Sequence, residues 1–352
     1  MNTARPTLRL IHAPTDLRNK NPILPNNTRD NGNRDTWGMF DDLNQFFALK
    51  AKTTAKQYRQ VLGEFCGFFG IEYTEEGAKR LKTIRHTEVT RYTNHLRTLP
   101  AQQGRSALIS DRVSLATVKH KMIILCSIWD ELLHLGSVTA NPWRKARKDM
   151  RRIHGNDRRP HQLIPFDKVR ELFTLEFIGP EGARDKALLA ALFGGALRIN
   201  EALAVRMCDV KEGPDGSMIL TLRNTKRQRA EDQTIGAWAA NHIRAYFEIR
   251  KTEGATDLDP FLTKYRDRTA TNEFMLDRTV RRQFTGYMRR VGLTGQFSPH
   301  CARATAITKL LEDGVPHREV CKFSRHASVQ MLERYDKLRQ ANSDNVAQRL
   351  EF

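Results

Sequence analysis

Phe193-Gly-Gly-Ala-Leu-Arg-Ile-Asn-Glu-Ala-Leu-Ala-Val-Arg206 closes one helical pattern and opens another. Ahead of it, Ala187–Phe193 reads as a small apolar helix. Two glycines end that helix, and Arg198 opens the next, whose Leu197, Leu203 and Val205 are apolar. Glycines let a helix start approach its neighbours closely. The stretch therefore suits presentation of a guanidinium to phosphate. Taken alone, the stretch is more often the pattern of an ordinary surface arginine.

Downstream, Met218-Ile-Leu-Thr-Leu222 and Gln233-Thr-Ile-Gly-Ala-Trp238 are β-prone runs on either side of a polar stretch. They predict a hairpin with Asn224-Thr-Lys-Arg-Gln-Arg229 at its tip and Lys226 as a candidate cation. Ser298-Pro-His-Cys-Ala-Arg-Ala-Thr-Ala-Ile-Thr308 follows. On a helix its spacing puts His300 and Arg303 on one face, enough to bind two phosphate oxygens. A metal role is weak there, because no second histidine or carboxylate falls four residues on. Phe323-Ser-Arg-His326 then leads, nine residues later, to Tyr335 in Leu332-Glu-Arg-Tyr-Asp-Lys337. Singly, a hairpin lysine is usually solvated and a late tyrosine usually packs. The rest of this half reads as helical, with breaks at Gly254, Gly292-Leu-Thr-Gly295, Ser298-Pro299 and Gly314.

The first half is different in texture. Residues 1–36 carry Pro6, Pro14, Pro22 and Pro25 among turn formers, and read as a flexible tail. Its six basic residues would either touch DNA or stay solvated. Residues 37–148 predict a compact helical domain. Phe40, Leu43, Phe46 and Phe47 mark a first helix. Thr53 or Thr54 caps a second, with Tyr58, Val61, Leu62, Phe65, Phe68 and Phe69, ending at Gly70. Thr87 starts a third through Val89, Tyr92 and Leu96. Ser114 starts a fourth through Trp129 and Leu133, closed by Gly136. The aromatics on these stripes read as core rather than as base-stacking platforms.

Residues 144–159 hold eight basic and two acidic side chains with no visible periodicity, so 149–162 reads as an interdomain linker. Its basic residues Arg144, Lys145, Arg147, Lys148, Arg151, Arg152, Arg158 and Arg159 are candidates for a strap across a DNA backbone, or else a solvated charge run. Residues 163–352 form the second domain, with a C-terminal tail at 336–352.

Composition agrees with a polyanionic partner. The 352 residues carry 59 Lys and Arg against 40 Asp and Glu, a net charge of +19. The excess is denser early: 18 basic against 10 acidic in 37–148, and 31 against 25 in 163–352. Nucleic acid fits this balance better than a membrane surface. No apolar run approaches the ~20 residues of a membrane span. The opening Met1–Arg9 has no apolar core for a secretory signal. Five scattered cysteines with no CxxC argue against a disulfide framework or zinc, and fit a reducing cytoplasm. No GxxxxGK[ST] loop, HExxH or carboxylate cluster with metal-ligand spacing occurs.

In this order and spacing, Arg198 with Glu201, Lys226, His300, Arg303, His326 and Tyr335 resemble the tyrosine recombinases, the phage integrase family. The resemblance covers most of the chain. The helical part is similar to the family's core-binding domain and 163–352 to its catalytic domain. It implies a mainly α fold with a small β-sheet or hairpin, in two domains that clamp DNA. There are departures: the family often has Leu-Gly before the late histidine, where this chain has Ser324-Arg325, and Ala196 precedes Leu197-Arg198. His300-Cys-Ala-Arg303 and the last residues lean toward the Cre-like branch.

The resemblance also implies the chemistry. Arg198 and Arg303 would grip the non-bridging oxygens of a phosphodiester. His326 would add a donor. Tyr335 would attack to form a 3′-phosphotyrosyl bond, and Lys226 would protonate the leaving 5′-oxygen. A free tyrosine pKa of about 10 leaves the arginines and His300 to supply activation. Glu201 would orient an active-site cation. Neither metal nor another cofactor is called for. The partners implied are double-stranded DNA and a homo-tetramer on two duplexes, monomeric or dimeric when free, with accessory proteins in some systems. Two other readings stand beside this one: a type IB topoisomerase or telomere resolvase that nicks and reseals, and a DNA-binding protein that kept the fold without the chemistry.

Overall fold

The computed structural model describes residues 38–100, 112–154, 162–223, 230–295, 297–333 and 335, with the backbone alone for 151–154. The chain divides into two compact units, Met1–Arg158 and Arg159–Phe352.

The first unit is helical among its described residues: α1 (Gly38–Ala48), α2 (Lys52–Phe69), α3 (Glu75–Lys82), α4 (His86–Thr98), α5 (Leu115–His134) and α6 (Trp143–His154). Its core is aromatic. The Phe65 ring meets Tyr92 at 5.1 Å and both Trp129 and Trp143 at 5.4 Å, all edge-on. These rings are buried, in keeping with the sequence expectation that they are core.

Some helix starts differ from those expected. Ala51, not a threonine, sits at the start of α2. Thr87 lies inside α4, whose start is tied by Glu88 accepting from the Arg85 N–H at 2.9 Å. Ser114 does cap α5, accepting from the Thr117 N–H. Gly70 ends α2 in the left-handed region, at φ 61°. The short helix α3 was not expected. Thr74 caps it by accepting from Gly77.

The larger correction concerns the basic run. Residues 143–154 are helical rather than irregular, so 149–154 are helix, not linker. Trp143, Ala146 and Met150 supply the buried face, at i, i+3 and i+7. Asn141 starts the helix: its Oδ1 accepts the Trp143 N–H, while its Nδ2 donates to the Cys126 carbonyl and to Asp130. The apolar stripe is masked in the sequence because the surrounding charges outnumber it.

The second unit holds α7 (Phe166–Thr174), α8 (Gly179–Gly194), α9 (Ile199–Leu203), β1 (Val210–Glu212), β2 (Met218–Leu222), β3 (Glu231–Ile235), α10 (Ala237–Thr252), β4 (Thr263–Arg266), β5 (Thr269–Phe274), α11 (Asp277–Arg290), α12 (Pro299–Glu312) and α13 (His317–Phe323). Strands β1, β2 and β3 form an antiparallel sheet in that order, with Leu220 opposite Gln233. The expected hairpin is thus present, but Ala237 and Trp238 begin α10 instead of extending it. A second hairpin, β4–β5, stands where the sequence pattern predicts helix. Asp267 and Arg268, both at positive φ, turn its corner.

Helix α8 is buried almost all round and packs beside α10. The close approach of α10 makes Gly194 a glycine, and that of Ile235 on β3 makes Gly195 one. A Cβ on Gly194 would stand 2.5 Å from that of Ala239, and one on Gly195 2.4 Å from Ile235 Cδ1. Among the described residues no helix is long and apolar enough to cross a membrane.

Candidate active site

Immediately after this glycine pair the chain turns sharply. Ala196 is fully buried at φ 46°, a left-handed conformation that costs an alanine energy and points to an imposed geometry. Its carbonyl accepts from Arg303 Nη1. Arg303, on α12, is 1% exposed, and its Nη2 donates to the carbonyl of Ser324, beyond α13. One planar guanidinium therefore ties together the turns before α9 and after α13. Burial and then the charges of Arg198 and Arg325 pull its pKa down to about 10, so it stays protonated near neutral pH.

Arg198 stands at the start of α9, and its guanidinium donates through Nη1 to Glu201 Oε1 at 2.6 Å. Glu201 is 2% exposed. Its other oxygen accepts from the Arg198 N–H at 2.8 Å and from Arg325 Nη2 at 2.9 Å. Burial pushes the Glu201 carboxyl up. The Arg325 guanidinium and the two Arg198 donors outweigh this and hold it below its ordinary value.

His326 is 8% exposed. Its Nδ1 lies 2.7 Å from Ser324 Oγ, while that hydroxyl donates its proton to the Val320 carbonyl at 2.6 Å. The serine oxygen must then accept, so Nδ1 carries the hydrogen and the ring's lone pair is on Nε2. Burial, then Arg303, Arg198, His300 and Arg325, lower the His326 pKa to about 4, which keeps the ring neutral. In this state the ring has no proton on Nε2, so the donor role expected of His326 would require it to take one up there.

Tyr335 is buried, its ring 5.8 Å from that of His326. It packs in a small apolar cluster with Ala196, Ala304, Ile307, Val320 and Leu332. Packing thus fixes the ring beside the polar groups. His300, in the first turn of α12, is itself exposed and lies near enough to act electrostatically on His326.

The structure therefore brings Arg198, Glu201, His300, Arg303, His326 and Tyr335 into one neighbourhood. Lys226 lies outside the described residues, as do Arg158, Arg159, the tail 1–36 and the tail 336–352. In the first unit, Arg144, Lys145 and Lys148 are exposed on α6, with Arg147 half-buried. Arg144 is engaged with Asp130 at 2.7 Å. Arg151 and Arg152 continue the helix. Ser324 and Arg325, which stand in the sequence only as a departure from the family pattern, and Gln233, which carries no signal there, complete the polar shell of the site. The one available signal was the pair Ser324-Arg325 directly before His326. Among the described residues no group of three or more His, Cys, Asp or Glu side chains is placed to hold a metal ion.

A buried fork of arginines beside a neutral histidine and a tyrosine can bind an anionic tetrahedral group and attack it. The family model described as the phage integrase family matches residues 162–342, just over half of the chain. The chain belongs to the phage integrase family, the tyrosine recombinases.

Other members of this recombinase family match over most of their length. Tyrosine recombinase XerC of Anoxybacillus flavithermus is 23% identical over 305 residues, covering 85% of this chain and 92% of the relative. XerC of Herpetosiphon aurantiacus is 27% identical over 246 residues, covering 68% and 75%. Solved recombinase structures share the fold. The XerH post-cleavage complex with a palindromic difH substrate has TM-score 0.62 and 16% identity, covering 82% of this chain and 79% of that one. The Tn1549 transposon integrase with circular-intermediate DNA has TM-score 0.61 and 14% identity, covering 86% and 98%. These relatives give no support to the Cre-like leaning of the sequence.

Proposed function

We propose that this recombinase cuts and rejoins DNA at a specific site with Tyr335 as its nucleophile. Arg198 and Arg303 hold the non-bridging oxygens of the scissile phosphate and stabilise the charge that builds at phosphorus. The Tyr335 oxygen bonds to phosphorus as the bond to the 5′-oxygen breaks, giving a 3′-phosphotyrosyl link and a free 5′-hydroxyl. The tyrosine proton passes to Nε2 of neutral His326, which then donates to the phosphate. Lys226 gives its proton to the leaving oxygen. The covalent link conserves the phosphoester for rejoining. Glu201 orients Arg198.

The observation that carries this reading is the placing of Tyr335 against His326, with Arg303 and Arg198 close enough to perturb that histidine. The exposed cations of α6 suit the DNA backbone. The protein works in the cytoplasm as a homo-tetramer on two duplexes, exchanging strands for integration, excision or resolution of a DNA element.

A trapping assay tests the nucleophile. The chain is mixed with supercoiled DNA from its own genetic neighbourhood, with EDTA, and run on a denaturing gel beside Tyr335→Phe. A covalent adduct with the wild type and none with the variant is expected. An adduct that survives in the variant overturns Tyr335 as nucleophile. Tight binding without any adduct from the wild type favours the non-catalytic reading, and relaxation of plasmids lacking a specific site favours the topoisomerase reading.

A further inference from the structure

We propose that Arg325 is a positioning residue for Arg198: a standing counterion that holds the buried Glu201 carboxylate, so that Arg198 can turn from Glu201 to the DNA phosphate. This rests on the reading of Arg198 as a phosphate ligand.

Glu201 sits in the way of that role. It is almost fully buried, and Arg198 gives it both a backbone N–H and a guanidinium hydrogen bond. Pulling the guanidinium toward a phosphate would strip a buried carboxylate of its cation, a costly change unless another charge remains. Arg325 is that charge. Its Nη2 holds Glu201 Oε2 at 2.9 Å.

The two arginines are not equivalent. The Arg198 side chain is 25% exposed, and among the described residues its guanidinium is bonded to Glu201. The Arg325 side chain is 7% exposed and pinned on several sides. Its Nη1 donates to Gln233 Oε1 on β3 and to the Phe323 carbonyl at 3.2 Å. Arg198 is thus the cation that can meet DNA, and Arg325 the one that stays.

The backbone points the same way. Arg325 is at φ 55°, in the left-handed region that favours glycine. Among the described residues its buried Nε has no hydrogen-bond partner, so the guanidinium is held there through its Nη atoms.

The test uses the full chain and an oligonucleotide carrying the cleavage site mapped by adduct trapping. Wild type, Arg325→Asn, Arg325→Lys, Glu201→Gln and the double variant Glu201→Gln/Arg325→Asn are compared. Asparagine tolerates left-handed backbone, so the turn is kept while the charge is removed. DNA affinity, single-turnover adduct rate and thermal melting are measured.

Arg325→Asn should slow adduct formation at least about tenfold with affinity within about threefold of wild type, and Arg325→Lys should stay within about threefold. Glu201→Gln should keep measurable adduct formation, because a neutral amide needs no counterion. On that background Arg325→Asn should cost less than about threefold. This last comparison stands even if Arg325→Asn alone fails to fold. A double variant at least tenfold slower than Glu201→Gln overturns the proposal. So does a loss seen wholly in affinity, a wild-type rate in Arg325→Asn, or no adduct at all from Glu201→Gln. Failure of the recombinase reading shows separately, as absence of adduct from the wild type.

Discussion

Ser324 Oγ and His326 Nδ1 lie 2.7 Å apart, and the serine's own proton is committed to the Val320 carbonyl. A residue two places upstream thereby sets which nitrogen of the histidine carries hydrogen.

Replacing Ser324 with alanine removes that constraint. Adduct formation should fall about tenfold with DNA affinity nearly unchanged, since one oriented hydrogen bond is worth roughly 1 kcal/mol or a little more. Single-turnover cleavage measures the rate, and 15N shifts of the His326 ring report the tautomer. An unchanged rate with an altered tautomer would remove the histidine from proton transfer.

The same histidine gives a pH signature. Its folded pKa of about 4 lies below the ordinary 6.5. As pH falls below 6.5 the unfolded chain takes the proton first, so stability is lost down to pH 4 and then levels off. The contribution is fully present above 6.5 and amounts to about 3 kcal/mol. Melting between pH 7 and pH 4 should therefore be less steep in His326→Gln than in the wild type. Parallel curves would mean the ring is not held neutral.

Gly194→Ala should destabilise the second unit by about 1–3 kcal/mol, the usual cost of overpacking. The added methyl meets Ala239 on α10, which is backed by a packed core. Because the glycine pair sets the position of Arg198, adduct formation should fall as well. Denaturant melts and the trapping assay check the two effects together.

Arg303→Lys retains charge but loses the fork that spans the Ala196 and Ser324 carbonyls. A lysine offers one ammonium point and cannot hold both turns in the same way. A loss of at least about 30-fold in adduct rate is expected, about 2 kcal/mol, with a lowered melting temperature. A variant of wild-type stability and rate would show that the bridge does not position the site.

On α6, if the proposed contacts with the DNA backbone hold, Lys145→Gln and Lys148→Gln should each reduce the slope of log affinity against log salt by about 0.9, one phosphate contact apiece. Both side chains are exposed, so folding should be unaffected. Binding titrations across salt concentrations read the slopes, and unchanged slopes would place the DNA elsewhere.

Much of the architecture was written in local pattern. Apolar stripes marked α1, α2, α4 and α5, and β-prone runs around a polar stretch marked β2 and β3. The six expected chemical positions stood out by order and spacing, not by any one motif. Local pattern failed where local preference and final structure diverge. In α6 seven charges hid a stripe of three apolar residues, and β4–β5 closed on Asp267-Arg268 instead of the glycine turn a hairpin usually advertises. Two features belonged to tertiary structure alone. Glu201 meets Arg325, and Arg303 meets the Ala196 carbonyl, across more than a hundred residues of chain. Sequence determined which residues carry charge and which helices carry a buried face, since both follow from composition and period. Only the folded chain decided which charge faces which: such pairs exist once burial has removed water and left each ion to find its partner.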